Sequence, residues 1–284
     1  PLPMHPLIPY FEQPVINLGP LPIHAFGILV AIGFVAGGHV AQQKATKFGG
    51  SADAINRLIG WLVFGVFVGG HWGHILMYEP GQLADEPRLF RAFFTALSEF
   101  RRPLSSEIPA LLQFWHGLSS FGGFAMCVAL TIWFFRREKM AFWPHADALA
   151  VGLSLGWFFG RMGCFSAHDH AGNPTNFWLG VYGMCPGNNP TVACHDLGLY
   201  EAIWSISVFG LFTFLDRKPR PPGYFVGWLA TLYGPARFVA DFFRNREGDA
   251  RYLGLTPAQY GSILVTLAGL WILSTRARST RASS

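Results

Sequence analysis

"ADALAVGLSLGWFFGRMGC" occupies residues 146–164. A helix of about 20 residues crosses the roughly 30 Å hydrocarbon layer of a bilayer. This stretch is close to that length, and its only charges are Asp147 near one end and Arg161 near the other. A soluble helix that is apolar all round must be buried on every side, whereas a membrane helix need not be. The rest of the chain decides between the two. Only 13% of the 284 residues are charged, against 51% hydrophobic and 16% aromatic. Ordinary soluble domains carry about 25% charged residues. Here the charges fall in short blocks between long apolar runs, which is the pattern of an all-α polytopic integral membrane protein.

Seven spans are expected, at about 21–41, 55–77, 117–135, 146–164, 198–215, 223–243 and 259–275, within one membrane domain covering 1–284. The segment 78–116 is read as an interfacial outer segment, because "RLFRAFFTALSEFRR" is basic, aromatic and helically spaced. The segment 165–197 is read as an outer loop. No basic stretch followed by an apolar core precedes the first span, so that span is expected to serve as the targeting signal. One set of loops holds twelve basic residues (Lys44, Lys47, Arg57, Arg136, Arg137, Lys139, Arg217, Lys218, Arg220, Arg276, Arg278, Arg281) against four acidic ones (Asp53, Glu138, Asp147, Asp216). Positive loops stay cytoplasmic, which places the N-terminus outside and the C-terminus inside. The net charge of +5 therefore reflects topology and does not point to nucleic acid.

Small residues locate the bundle interior. Gly65, Gly69 and Gly73 repeat at four, as do Gly152, Gly156 and Gly160. Each stripe lies on one helical face and admits a neighbouring backbone. Cys185 and Cys194 share the outer loop, where a disulfide between them and two free thiols are both open readings.

Ionisable residues at membrane depth mark function by default. Arg161, Glu201, Tyr233, Arg237 and Asp241 are of this kind, and Tyr233, Arg237 and Asp241 share a helical face at spacing four. Two arginines imply an anion, and at that depth the abundant anion is a phospholipid phosphate. The competing reading pairs Arg161 with Glu201 and Arg237 with Asp241 as internal glue. His71, His74, His168, His170 and His195 invite a metal reading, with His71, His74, His168 and His170 as the cluster. The spacing lacks the stronger H-E-x-x-H form, so no metal and no cofactor are expected.

Six stretches carry a resemblance. "PVINLGPLPIHAFGILVAIGF", "GLSSFGGF", "GRMGCFSAHDHAGNPT", "CHDLGLYEA", "LYGPARFVADFFR" and "GLTPAQYGSIL" follow one another in order. They resemble the opening and five further motifs of the bacterial prolipoprotein diacylglyceryl transferases. Among these are G-M-S-F-H-G-G, G-R-x-G-N-F with a closing glycine, H-P-x-Q-L-Y-E and Y-x-x-x-R-x-x-x-E-x-x-R. The resemblance implies an inner-membrane enzyme with its active site toward the outer leaflet. Such an enzyme moves diacylglyceryl from phosphatidylglycerol to the lipobox cysteine thiol of a preprolipoprotein signal peptide, and glycerol 1-phosphate leaves. It implies that Arg161 and Arg237 bind the phosphate and that Tyr233 and Glu201 orient them. One of His24, His168, His170 and His195 would assist thiol deprotonation. Gly122, Gly123, Gly172, Phe121, Cys164 and Phe26 would line the lipid site.

Three positions depart from the pattern. Phe121 stands where the motif has histidine, Cys164 where it has asparagine, and Phe26 where the opening has tyrosine. A transferase with relocated polar groups and a paralogue with altered lipid chemistry, or with phospholipid binding but no catalysis, are the alternatives. Because the attacking thiol in the family belongs to the substrate, Cys164 is expected to line the site without acting as a nucleophile.

Overall fold

In the computed structural model, residues 6–18, 21–99, 103, 106, 108–113, 117, 119–185, 187, 189–245 and 252–282 are described. The chain divides into two compact units, residues 1–55 with 143–284, and residues 56–142.

The first unit opens with an antiparallel hairpin, β1 (Val15–Leu18) and β2 (Leu21–His24), in which Val15 faces His24. The apolar run that begins at residue 21 starts as a strand because Pro22 cannot donate and disfavours helix at its predecessor. Helix α1 begins only at Ala25 and runs to Lys47. It packs on α5 (Phe142–Ala167) through glycines. A Cβ on Gly33 would lie 2.7 Å from the Gly156 carbonyl, and one on Gly37 the same distance from that of Gly152. Only hydrogen side chains permit this approach. Gly160, the last of that stripe, meets open space. The glycine-to-glycine contact of α1 with α5 therefore ends at Gly156.

Helix α6 (Leu197–Leu215) starts from Asp196, whose carboxylate accepts from Leu199 N at 3.0 Å. Helix α7 (Tyr224–Ala240) is capped from a distance. The buried carboxylate of Asp147 on α5 accepts from Gly223 N at 2.7 Å and Val226 N at 2.9 Å. Val151, Val208, Phe212 and Phe225 form the core among these three helices. In the last turn of α1, Lys44 and Lys47 both pair with Asp216, at 2.6 and 2.9 Å. Helix α8 (Pro257–Ala282) begins with a reciprocal capping box. Thr256 Oγ1 accepts from Gln259 N at 3.2 Å, and Gln259 Oε1 accepts from Thr256 N at 3.0 Å. Between α5 and α6 the chain forms a small antiparallel sheet of β3 (Ala171–Pro174), β5 (Ala193–Asp196) and β4 (Val181–Tyr182), in that order. Cys185 and Cys194 are joined in a disulfide beside it, with Cα atoms 5.4 Å apart.

The second unit holds most of α2 (Ala52–Tyr78), α3 (Glu86–Ser98) and α4 (Ser120–Arg137). The Gly65, Gly69 and Gly73 stripe packs against α4 at Leu130, Met126 and Gly122. Helix α3 is strongly amphipathic. It buries Glu86 and Ala96 while Phe94 and Leu97 remain exposed. The end of the basic aromatic stretch, residues 100–102, lies outside the described residues.

Among the described residues, five helices are long and apolar enough to cross a membrane: Ala25–Lys47, Ala52–Leu76, Phe142–Ala167, Leu197–Leu215 and Pro257–Arg276. The runs expected as the third and sixth spans form α4 and α7, helices of 18 and 17 residues. The chain is a multi-pass membrane protein built from helices.

Candidate active site

The site lies in the first unit, where the end of α5, the start of α6 and the end of α7 meet. Glu201 is its hub. Its Oε2 lies 2.8 Å from Arg161 Nε, and its Oε1 lies 3.7 Å from Arg237 Nη1. Arg237 Nη2 lies 3.7 Å from Asp241 Oδ1. All four side chains are largely buried, and buried charges persist only when paired. The internal pairing is present and goes further than expected: Arg161 pairs with Glu201, and Arg237 with Asp241 and Glu201 together.

The two arginines are held differently. Arg161 is held by its 2.8 Å ion pair with Glu201 and by Trp157, whose ring lies under the guanidinium at 5.3 Å and whose Nε1 donates to Glu201 Oε2 at 3.4 Å. Both carboxylate contacts of Arg237 are 3.7 Å, beyond the reach of a hydrogen bond. Asp241 Oδ1 accepts no hydrogen bond, while its Oδ2 accepts from Thr256 Oγ1 at 2.6 Å. Arg237 is therefore neutralised, yet its donors are not spent on its partners. Tyr233 packs edge-on between Trp157 and Trp204 and interacts with Arg161 through its hydroxyl.

The candidate histidines separate. His168 is buried and committed, its Nδ1 3.2 Å from Asp196 Oδ2 and its Nε2 3.2 Å from the Phe11 carbonyl. His195 Nδ1 is 2.7 Å from the Tyr200 hydroxyl, and its ring packs on Phe243. Burial pushes the His195 imidazole below its ordinary value. His24 is exposed at the N-cap of α1, where its side chain makes no capping bond. His170 alone reaches the arginines, with Nε2 3.4 Å from Arg161 Nη1. Its Nδ1 pairs with Asp169. Hydrogen bonds to Asp169 and Cys164 hold its cation up to about 9, against the burial that opposes it. Cys164 Sγ accepts from Arg161 Nη1 at 3.7 Å.

Gly172 is required by space. A Cβ there would collide with the Phe243 carbonyl and lie 2.9 Å from His195 Cβ. Phe26 packs on Gly163, two residues after Arg161. Gly122 and Gly123 lie in the second unit, with the first in close contact with Gly69 and Gly73. The side chain of Phe121 lies outside the described residues.

Among the histidines considered for a metal, His168 is engaged by Asp196 and Phe11, and His71 by the Ala110 carbonyl at 2.7 Å. Cys164, Asp169 and His170 do gather their ligand atoms within 4.8 Å. The Arg161 guanidinium points at two of the three, however, and a cation there would face a fixed positive charge. Trp157, Asp169, Thr256 and Gln259 were not singled out from sequence. Trp157 carried a signal, four residues before Arg161 on the same face. Thr256 and Gln259 carried one too, in the T-x-x-Q spacing of a capping box.

Fold and site together define a multi-pass helical membrane protein with two buried arginines gathered around one glutamate. The particular family follows from comparison. Residues 13–275 match the model of the family described as prolipoprotein diacylglyceryl transferase, and the chain belongs to that family. It is 32% identical to the phosphatidylglycerol–prolipoprotein diacylglyceryl transferase of Solidesulfovibrio magneticus, over 97% of this chain and 98% of that protein. It is 28% identical to the one from Nitratidesulfovibrio vulgaris, over 93% and 94%. It is 29% identical to the one from Chromohalobacter salexigens, over 92% and 91%.

Proposed function

We propose that this protein transfers the diacylglyceryl group of phosphatidylglycerol to the lipobox cysteine thiol of preprolipoproteins. The observation that carries the mechanism is the arginine pair around Glu201, with Arg237 neutralised but not saturated. In the reaction the substrate sulfur attacks the CH₂ carbon that bears the phosphate. The S–C bond forms as the C–O bond breaks, and the electron pair stays on the phosphate oxygen. Charge on the phosphate therefore grows by one unit, and donors fixed in a dry site stabilise that growth most. Arg161 and Arg237 supply them, with Glu201, Tyr233 and Trp157 setting their orientation.

Seven helices, α1, α2 and α4 through α8, cross the bacterial inner membrane in this reading, with the N-terminus outside and the basic loops inside. The amphipathic face of α3 lies at the outer interface. Gly172, Cys164 and Phe26 line the site in this reading. The partners are phosphatidylglycerol and a signal peptide with its lipobox cysteine; no cofactor enters the reaction.

The test is complementation of a strain depleted of its own diacylglyceryl transferase, with thioether formation on a lipobox peptide read by mass. Growth and the diacylglyceryl mass increment are expected. Phospholipid binding without any thioether would instead establish a non-catalytic relative.

A further inference from the structure

We infer that the His170–Asp169 pair completes a phosphate-binding notch with Arg161, in which Arg161 Nη1 and His170 Nε2 donate to the same oxygen of the phosphate group that leaves. This deepens the proposed activity and rests on it.

Three observations converge. First, Arg161 divides its donors: Nε is fixed on Glu201 at 2.8 Å, which turns Nη1 away from the carboxylate toward the loop after α5. Second, the group that Nη1 meets there is His170 Nε2, at 3.4 Å. The other ring nitrogen is occupied by Asp169, so Nδ1 carries a proton and Nε2 is the nitrogen presented to the site. Third, the charged and titratable groups facing His170 are Asp169 from its own turn and Cys164 and Arg161 from α5. Asp169 favours the imidazolium and holds it to about 9, so near neutral pH both nitrogens are donors. Two donors abutting at that distance cannot bond to each other. They can share an acceptor, and charge-assisted bonds to a phosphate oxygen are the strong kind.

The chemistry fits the site's need. The phosphodiester carries one negative charge and the departing glycerol phosphate carries about two near pH 7. Glu201 and Asp241 already balance the two arginines, so the added charge calls for a further cation. His170 provides it without giving up its proton, and the proton of the substrate thiol is released to solvent. Cys164, Asp169 and His170 are then one feature: a compact polar wall beside Arg161. Cys164 stands where the related motif has asparagine.

The experiment uses the full-length protein in detergent–phospholipid micelles, with His170→Gln and His170→Lys. Two probes are titrated by ³¹P line broadening, glycerol 1-phosphate alone and phosphatidylglycerol alone, which separates the free phosphate from the lipid-borne one. Thioether formation is followed from pH 6 to 10. His170→Gln is expected to weaken glycerol 1-phosphate binding about tenfold. It should also lower kcat about hundredfold with the peptide KM unchanged. In the wild type, activity falls as pH rises through about 9, where the imidazolium is lost. His170→Gln lacks that limb, and His170→Lys restores phosphate binding and moves the limb to higher pH. Wild-type phosphate affinity together with a retained limb near pH 9 in His170→Gln overturns the inference. If the wild type forms no thioether, the proposed activity fails, and the binding arm still decides: equal affinities reject the notch and unequal ones support it. If His170→Gln does not fold, loss of phosphate binding in His170→Lys rejects it.

Discussion

Glu201 meets Arg161 at 2.8 Å, Oε2 to Nε, and the same carboxylate reaches Arg237 at 3.7 Å. One acid thus positions two arginines contributed by different helices. Replacing Glu201 by Gln removes that charge while keeping the shape. Breaking a buried ion pair from one side costs about 3–5 kcal/mol, because a buried charge is left without its partner. Glu201→Gln is therefore expected to lower the thermal midpoint in detergent and to abolish transfer. Wild-type turnover in this variant, measured with a lipobox peptide, would remove Glu201 from its central role.

Arg237 faces two carboxylates and keeps donors for a third group. Arg237→Lys preserves the charge, but a lysine lacks the planar fork that reaches Glu201, Asp241 and a phosphate together. Transfer is expected to fall at least hundredfold, about the cost of losing one transition-state donor, while folding is largely retained. Thioether yield by mass spectrometry checks this, and a yield near wild type would rule out the phosphate clamp.

Thr256 links the α8 cap to the site by donating to Asp241 at 2.6 Å. Thr256→Val removes both the cap and the donor. Caps contribute about 1 kcal/mol and hydrogen bonds to charged groups about 1.5–3 kcal/mol. The variant should unfold at lower temperature, with activity reduced through a less firmly held Asp241. Thr256→Ser should behave as wild type, and equal losses in both variants would argue against the hydroxyl as the cause.

Cys164 accepts from Arg161, and the proposed reaction makes no bond to its sulfur. Cys164→Ser and Cys164→Asn are expected to retain most transfer activity. Complete loss in both, with normal phosphatidylglycerol binding, would reopen covalent catalysis at this sulfur.

The Cys185–Cys194 disulfide closes a short segment of the small sheet. Its removal by the paired serine variant should cost about 2–3 kcal/mol, the range for short loops. Thermal unfolding with and without reductant measures this: the midpoint of the wild type should drop on reduction, and that of the double variant should not move.

Much of the site was legible in sequence because membrane helices make polar residues conspicuous. Arg161, Glu201, Tyr233, Arg237 and Asp241 stand out from apolar surroundings, and periodicity places the last three on one face. The glycine stripes were equally plain, and they do mark where α1 meets α5 and where α2 meets α4. The four histidines offered as bases could not be ranked, since each lies near the end of an apolar run and sequence spacing does not distinguish them. Only the folded chain separates them, by committing His168 to Asp196 and Phe11, and His195 to Tyr200. Hydrophobicity also set helix boundaries too early at residue 21, where strand pairing and Pro22 keep the chain extended.

The sequence by itself determined the solvent, the helices and the charged residues that must be paired, because a bilayer penalises every unpartnered polar group and so limits what each segment can be. The tertiary structure decided which partners meet. Glu201 bridges two arginines, and His170 comes to the free side of Arg161 while His168, two residues earlier, turns away. Those choices depend on how three helix ends and one turn close on each other, at distances that local periodicity does not encode.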